Sequence, residues 1–195
     1  MALRGQAGPG AARGGLPLWA ADLLHYWFHT LRPADWFAIN PAVDAELRRR
    51  FRRDLDALRG RPVGAFVTSP DLARAAILLF DQVPRNLYRG DPRAFAQDTL
   101  ARAITMTMLR RGWHHGLSRA EKQFAYMPLM HSEHIADQRL SLILFARLRS
   151  SYLLGFARSH YRMIARFGRF PHRNAVLGRG STPAETRAVE AGHAW

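Results

Sequence analysis

Three short segments hold most of the side chains that could do chemistry: "DQVPRN" at 81–86, "HSEHIADQ" at 131–138 and "RFGRFPHRN" at 166–174. The first follows the apolar run "AAILLF" and brings Asp81, Gln82, Arg85 and Asn86 to the end of a segment that otherwise reads as core. In the second, Glu133 and Asp137 are four residues apart, as are His134 and Gln138, so each pair shares one face of a helix. Two carboxylates on a face beside His131 can transfer a proton, or supply oxygen and imidazole ligands to a divalent cation. The spacing is not the H-E-x-x-H of a zinc protease, and carboxylates at this interval more often pair with arginines. Ser132 reads as the N-cap of a helix, with Glu133 in its first turn, where the helix dipole favours negative charge.

Arginine supplies the complementary charge. Arg158, Arg162, Arg166 and Arg169 recur at helical spacing along one face, with Arg173 and Asn174 just beyond. Planar guanidinium forks suit carboxylate or phosphate, which makes Arg85, Arg166, Arg169 and Arg173 candidate anion clamps. The same groups could instead satisfy Asp81, Glu133 and Asp137 in a network that ties helices together with no ligand at all. His172, between Pro171 and Arg173, reads as a loop histidine titrating near neutrality, the best single candidate for an acid or base. His160 falls on a face with Leu153, Phe156 and Ile164 and reads as a core histidine making one hydrogen bond. Met106, Met108, Met127 and Met130 read as adaptable core fillers. There is no G-x-S-x-G elbow, Walker loop or G-x-G-x-x-G fingerprint, so no nucleotide cofactor is indicated, and a divalent metal is a secondary expectation.

These groups must be positioned by helices. Asn40-Pro41, Ser69-Pro70, Asp91-Pro92 and Thr182-Pro183 each pair a capping side chain with a proline at the first helical position, where its missing N–H costs nothing. Ser118 with Glu121, and Thr182 with Glu185, have the spacing of a capping box. Apolar residues recur every three or four positions, as in Val43, Leu47, Phe51, Leu55 and Leu58. Pro84 and Gly112 read as helix stops. These signals predict helices at about 18–30, 41–59, 70–83, 92–111, 118–127, 132–148, 150–167 and 183–191, about eight in all. The chain is expected to be all-α, with helices packed as successive antiparallel pairs.

The bulk numbers agree and exclude several classes. A chain of 195 residues with no cysteine can bury a core without disulfides, and thiolate metal sites and cysteine nucleophiles are impossible. No run reaches the length of a membrane span, and a cytoplasmic location is expected. Residues 1–17, rich in Gly, Ala, Pro and Arg, read as a flexible extension without the continuous apolar centre of a signal peptide, ahead of one domain at 18–195. The net charge of +14 comes from 29 basic and 15 acidic residues, and Lys122 is the single lysine. Most of that excess is scattered; the tract "RRRFRR" at 48–53 is the feature that would favour nucleic acid.

"LLFDQVPRNLYRGDPRAFAQD", "YMPLMHSEHIADQ" and "RFGRFPHRNAVLGRGSTPAE", with the early "HYWF", resemble the bacterial family called domain of unknown function 924 over about residues 20–190. The resemblance implies an architecture similar to right-handed tetratricopeptide-like superhelices, although no 34-residue repeat is visible. It implies no activity. Val83 stands where members usually carry Phe, and His134 where they usually carry an acid. The expectation is that the three motifs converge on one polar site for a small anionic ligand. Its ligand groups would be Asp81, Gln82, Arg85, Asn86, Gln138, Arg166, Arg169, Arg173 and Asn174. His131, Glu133, Asp137 and His172 are the candidate catalytic groups, with hydrolysis the first reaction to test. The alternatives are a scaffold whose concave face binds an acidic peptide or protein, and nucleic-acid binding through the basic surface.

Overall fold

The computed structural model describes residues 15–192. Most of the expected extension at 1–17 therefore lies outside the described residues. Among those described the protein is all-α, with no strand. Its helices are α1 (Leu18–His25), α2 (Pro41–Leu58), α3 (Pro70–Ile77), α4 (Val83–Leu87), α5 (Asp98–Arg110), α6 (Arg119–Met130), α7 (Ile135–Arg147), α8 (Ser151–Phe167) and α9 (Pro183–Glu190). No helix among the described residues is long and apolar enough to cross a membrane.

Local sequence chemistry places these starts. The Asn40, Ser69 and Thr182 side chains accept from the N–H of Ala42, Leu72 and Glu185. Asp91 accepts from Arg93 N–H at 2.8 Å, but it opens a short 3-10 turn, Pro92–Ala94, and α5 begins only at Asp98. The boxes of Ser118–Glu121 and Thr182–Glu185 are closed in both directions. Gly112 and Gly168 follow the ends of α5 and α8 with φ of 69° and 68°, a conformation a Cβ would strain.

Three further expected boundaries move. Pro84 does not end a helix: α3 passes through a π-helical turn, Leu78–Gln82, and continues as α4 to Leu87. A proline ring inside an α-helix collides with the carbonyl four residues back, and the extra residue of a π turn widens the spiral at that place. Likewise α6 runs through Pro128 to Met130 rather than stopping near 127. Ser132 is not the N-cap of α7, which starts three residues later with His134 at the cap. Ser132 Oγ instead accepts from His134 N–H at 3.2 Å and donates to Asp137 at 2.6 Å, so Glu133 lies outside the helix it was expected to open.

The main core gathers the apolar faces of α1 to α8. Leu47, Phe51 and Leu55 of α2 are buried at successive turns, as their spacing requires. Phe124 of α6 meets Trp27 and Trp36 edge-to-face, at 5.4 and 5.0 Å between ring centres. A smaller cluster of Met163, Ile164, Phe170 and Ala188 joins α8 to α9. Phe156, expected on the core face of α8, is exposed because that part of the face opens onto the cavity described next.

Candidate functional site

The π turn brings Asp81 and Gln82 into the interior, and α4 then sets Arg85 one turn beyond Asp81. Asp81 is completely buried. Its Oδ1 accepts from His131 Nδ1 at 2.7 Å, from the end of α6, and from Arg85 Nη2 at 3.3 Å, while Oδ2 accepts from the Gln82 amide at 2.5 Å. A carboxylate can only accept, so His131 carries its proton on Nδ1 and keeps Nε2 for another partner. Burial alone would raise the Asp81 pKa, but His131, Arg85 and the hydrogen bonds hold it well below the usual carboxylate range. Burial, followed by the charge of Arg85, pushes His131 below the ordinary histidine value, against the pull of Asp81.

Asp98, the first residue of α5, extends the network by bridging Arg85 Nη2 at 2.8 Å and Arg173 Nη1 at 3.2 Å. Arg173 is 6% exposed, and its guanidinium lies between the rings of Phe95 and Phe170, at 4.6 and 4.5 Å from their centres. Burial first, and the like charge of Arg85 second, push its pKa down to about 10. Its Nε, like that of Arg85, is buried without a hydrogen-bond partner.

This network forms part of the wall of a cavity of about 650 Å3, within the range of small-molecule sites. Gln82, Arg85, Asn86, His131, His172 and Arg173 line it together, so the cavity joins members of all three polar segments. His160, Met127 and Met130 contribute as well. As expected of a core histidine, His160 is buried and its Nδ1 lies 2.9 Å from the Phe156 carbonyl, but it also faces the cavity. A second cleft of about 340 Å3 shares Phe95, His131 and Arg173 with the first and is bordered by Ser132, Glu133 and His134.

The remaining expected residues do not line the larger cavity. Glu133 accepts from Arg179 at 2.8 and 3.0 Å and from Phe170 N–H at 2.8 Å, tying the loop before α7 to the segment after α8. Asp137 is buried, paired with Arg102 at 2.8 Å and with the Ser132 hydroxyl. Glu133 and Asp137 therefore serve different arginines, and no group of three metal-ligating side chains gathers among the described residues. Gln138 donates to the carbonyls of Met130 and Ser132, both at 2.7 Å, closing the α6–α7 turn. Arg169 is taken up by Glu185 at 2.6 and 2.9 Å, and Asn174 donates to Ser181 at 3.0 Å. Arg166 is exposed and lies over Phe167, one residue along its own helix.

His172 departs most from its sequence reading. It sits in a 3-10 turn, Pro171–Arg173, and burial, followed by Arg173 and Arg85, pushes its pKa down to about 4 rather than leaving it near neutrality. Asp98, Phe95, Arg102 and Arg179 were not singled out from the sequence. Asp98 and Arg102 had a readable signal, since they are four apart on the helix that follows "DPRAFAQ" and so share a face.

The matching family model, described as a bacterial protein of unknown function (DUF924), covers residues 23–193. The chain belongs to the DUF924 family. Among solved structures it is similar to a protein of unknown function, ATU0120, from Agrobacterium tumefaciens. The identity is 36%, the TM-score 0.83, and the match covers 89% of this chain and 97% of that one. No curated protein matches it. Within this DUF924 chain the polar motifs thus coincide with the buried network and the cavity it borders.

Stability should fall as the solution is acidified, starting well above the carboxylate range. Burial, then the neighbouring His131, pushes the His160 pKa down to about 3, whereas in the unfolded chain it returns to about 6.5. Between these values the unfolded state binds the extra proton, so stability is lost as pH drops below 6.5. At pH 5 the loss from His160 alone is about 2 kcal/mol, taken as 1.5 pH units at 1.36 kcal/mol each. Urea midpoints at pH 7.5 and pH 5 check this, and His160→Gln should flatten the dependence. Identical midpoints at the two pH values would contradict it.

Proposed function

We propose that this DUF924 protein binds a small anionic ligand in the larger cavity, with Arg85 and Arg173 as its anion-recognising groups. The observation that carries this reading is Arg173, a guanidinium 6% exposed in a cavity wall with buried N–H capacity that no protein acceptor takes up. Desolvated donors leave polar capacity unmet unless something accepts from them, and an anionic oxygen is the strongest acceptor for a guanidinium. Its placement between two phenyl rings fixes the plane of the fork before any ligand arrives, which lowers the ordering cost of binding.

Chemistry in this cavity would belong to Asp81 and His131. Asp81 orients the imidazole through Nδ1, and a neutral Nε2 can take a proton from water or a hydroxyl, the arrangement used for general-base hydrolysis. His172, with a pKa near 4, is neutral at physiological pH and fits a hydrogen-bonding role.

Two rival readings find less support. The volume suits a small molecule rather than an extended acidic peptide. In the basic tract at 48–53, Arg49 and Arg50 pair with Glu46, Arg52 with Asp56, and Arg48 donates to the Leu87 carbonyl, which weakens it as a surface for nucleic acid. A thermal-shift screen against small carboxylates and phosphates tests the reading, because a ligand at a hundred times its Kd stabilises by about 2.7 kcal/mol. Stabilisation by a carboxylate or phosphate but not by its uncharged analogue is expected. A panel in which no anion shifts the midpoint would remove the proposal.

A further inference from the structure

Seven large hydrophobic side chains are exposed among the described residues, and four of them, Phe37, Ile39, Tyr152 and Phe156, line this one cavity. Isolated apolar residues on a surface need no explanation, but a concentration around a cavity does. Phe37 and Ile39 come from the segment before α2, at 53% and 80% exposure, while Tyr152, at 67%, and Phe156 occupy the first two turns of α8. The buried Met127 and Met130 continue the apolar lining inward, and methionine adapts to chains of varied shape. The cavity thus combines an exposed apolar rim with a buried guanidinium.

The charges set the size of the head group. Arg85 and Arg173 are matched one for one by Asp81 and Asp98, so the cluster carries no formal excess with His131 neutral. A dianion would leave two negative charges uncompensated in a desolvated site, and a monoanion only one. A planar carboxylate also suits guanidinium edges fixed by ring stacking.

We infer that the ligand is a monocarboxylate carrying an unbranched apolar chain, its head at Arg85 and Arg173 and its chain against Met127, Met130 and the Phe37–Ile39–Tyr152–Phe156 rim. This rests on the reading of the cavity as an anion site and assigns the other half of the ligand. Isothermal titration of the full-length protein at neutral pH with butyrate, hexanoate, octanoate and decanoate tests it, each kept below its micelle concentration. Full burial of a methylene is worth about 0.8 kcal/mol, so affinity should rise about fifteenfold for each added pair until the chain outgrows the cavity. Ile39→Ser with Tyr152→Ser, at two exposed positions whose folding is checked by thermal melts, should flatten that series.

A rise of about fivefold or more per pair, lost in the double variant, supports the inference. Butyrate bound with a smaller rise, or a series unaffected by the double variant, overturns it while leaving the anion site standing. Octanol binding as tightly as octanoate, or octyl phosphate binding more tightly, overturns the monocarboxylate head. If no carboxylate binds at all, the inference fails, and the anion site fails with it only where phosphates also leave the protein unshifted.

Discussion

Replacing Asp81 with alanine is expected to destabilise the protein by about 3–5 kcal/mol, the range for breaking a buried ion pair by removing one partner. Asp81 is completely buried and accepts hydrogen bonds from His131, just past the end of α6, from Arg85 of α4 and from Gln82 of the π turn between α3 and α4. Without it, Arg85 keeps Asp98, but His131 Nδ1 and the Gln82 amide each lose their carboxylate acceptor. In a protein of this size, 1 kcal/mol moves Tm by roughly 2–4 °C, so a fall of about 6–20 °C should be seen. Joint replacement, Asp81→Leu with His131→Leu, should cost less than the sum of the two single changes, because apolar groups can fill the space of a buried pair whereas one orphaned partner cannot. Additive losses in that cycle would mean that the two side chains are not coupled. Urea denaturation with an unchanged slope is the appropriate measurement, since it keeps the comparison on the folded state.

The second large effect concerns binding. Arg173→Met should weaken any carboxylate that the cavity takes up by about 30-fold or more, corresponding to the 2 kcal/mol or greater loss that follows truncation of a buried hydrogen-bonded charge. Methionine keeps an apolar stem between Phe95 and Phe170 and removes only the fork and its charge. Asp98 retains Arg85 at 2.8 Å, so the stability cost should be smaller than at Asp81. Arg173→Lys restores the charge without the planar fork and should recover only part of the affinity. Titration of one carboxylate against the three proteins decides the matter. Equal affinity for wild type and Arg173→Met would place recognition elsewhere in the cavity.

The two halves of the cluster illustrate why composition leaves open what geometry decides. Sequence reasoning weighed an internal network against a ligand pocket as rivals, yet the same residues do not divide that way. Arg169, Glu133 and Asp137 are consumed by partners on neighbouring segments. Arg85 and Arg173 are paired through single Nη atoms and still have donors to spare. Their five N–H groups exceed what two carboxylates accept at these distances, so one side chain can brace the fold and border the cavity at once.

What the sequence by itself determined is the part governed by neighbours within a few residues. Capping side chains before Pro41, Pro70 and Pro183, the two capping boxes, and the repeat of Leu47, Phe51 and Leu55 act through hydrogen bonds and faces one or two turns long. They specify an all-α chain, and the three motifs carry the DUF924 relationship. Tertiary structure alone decided the rest. Pro84 lies within a continuous helical segment because a π turn absorbs it, a choice made by packing rather than by the proline's own preference. His172 lost its near-neutral titration because burial, which no local pattern announces, outweighs its loop position. Asp98 meets Arg173 across 75 residues of chain, and a contact of that range leaves no periodic trace in the sequence. The cavity is the sum of such contacts, and so its lining became visible only in the fold.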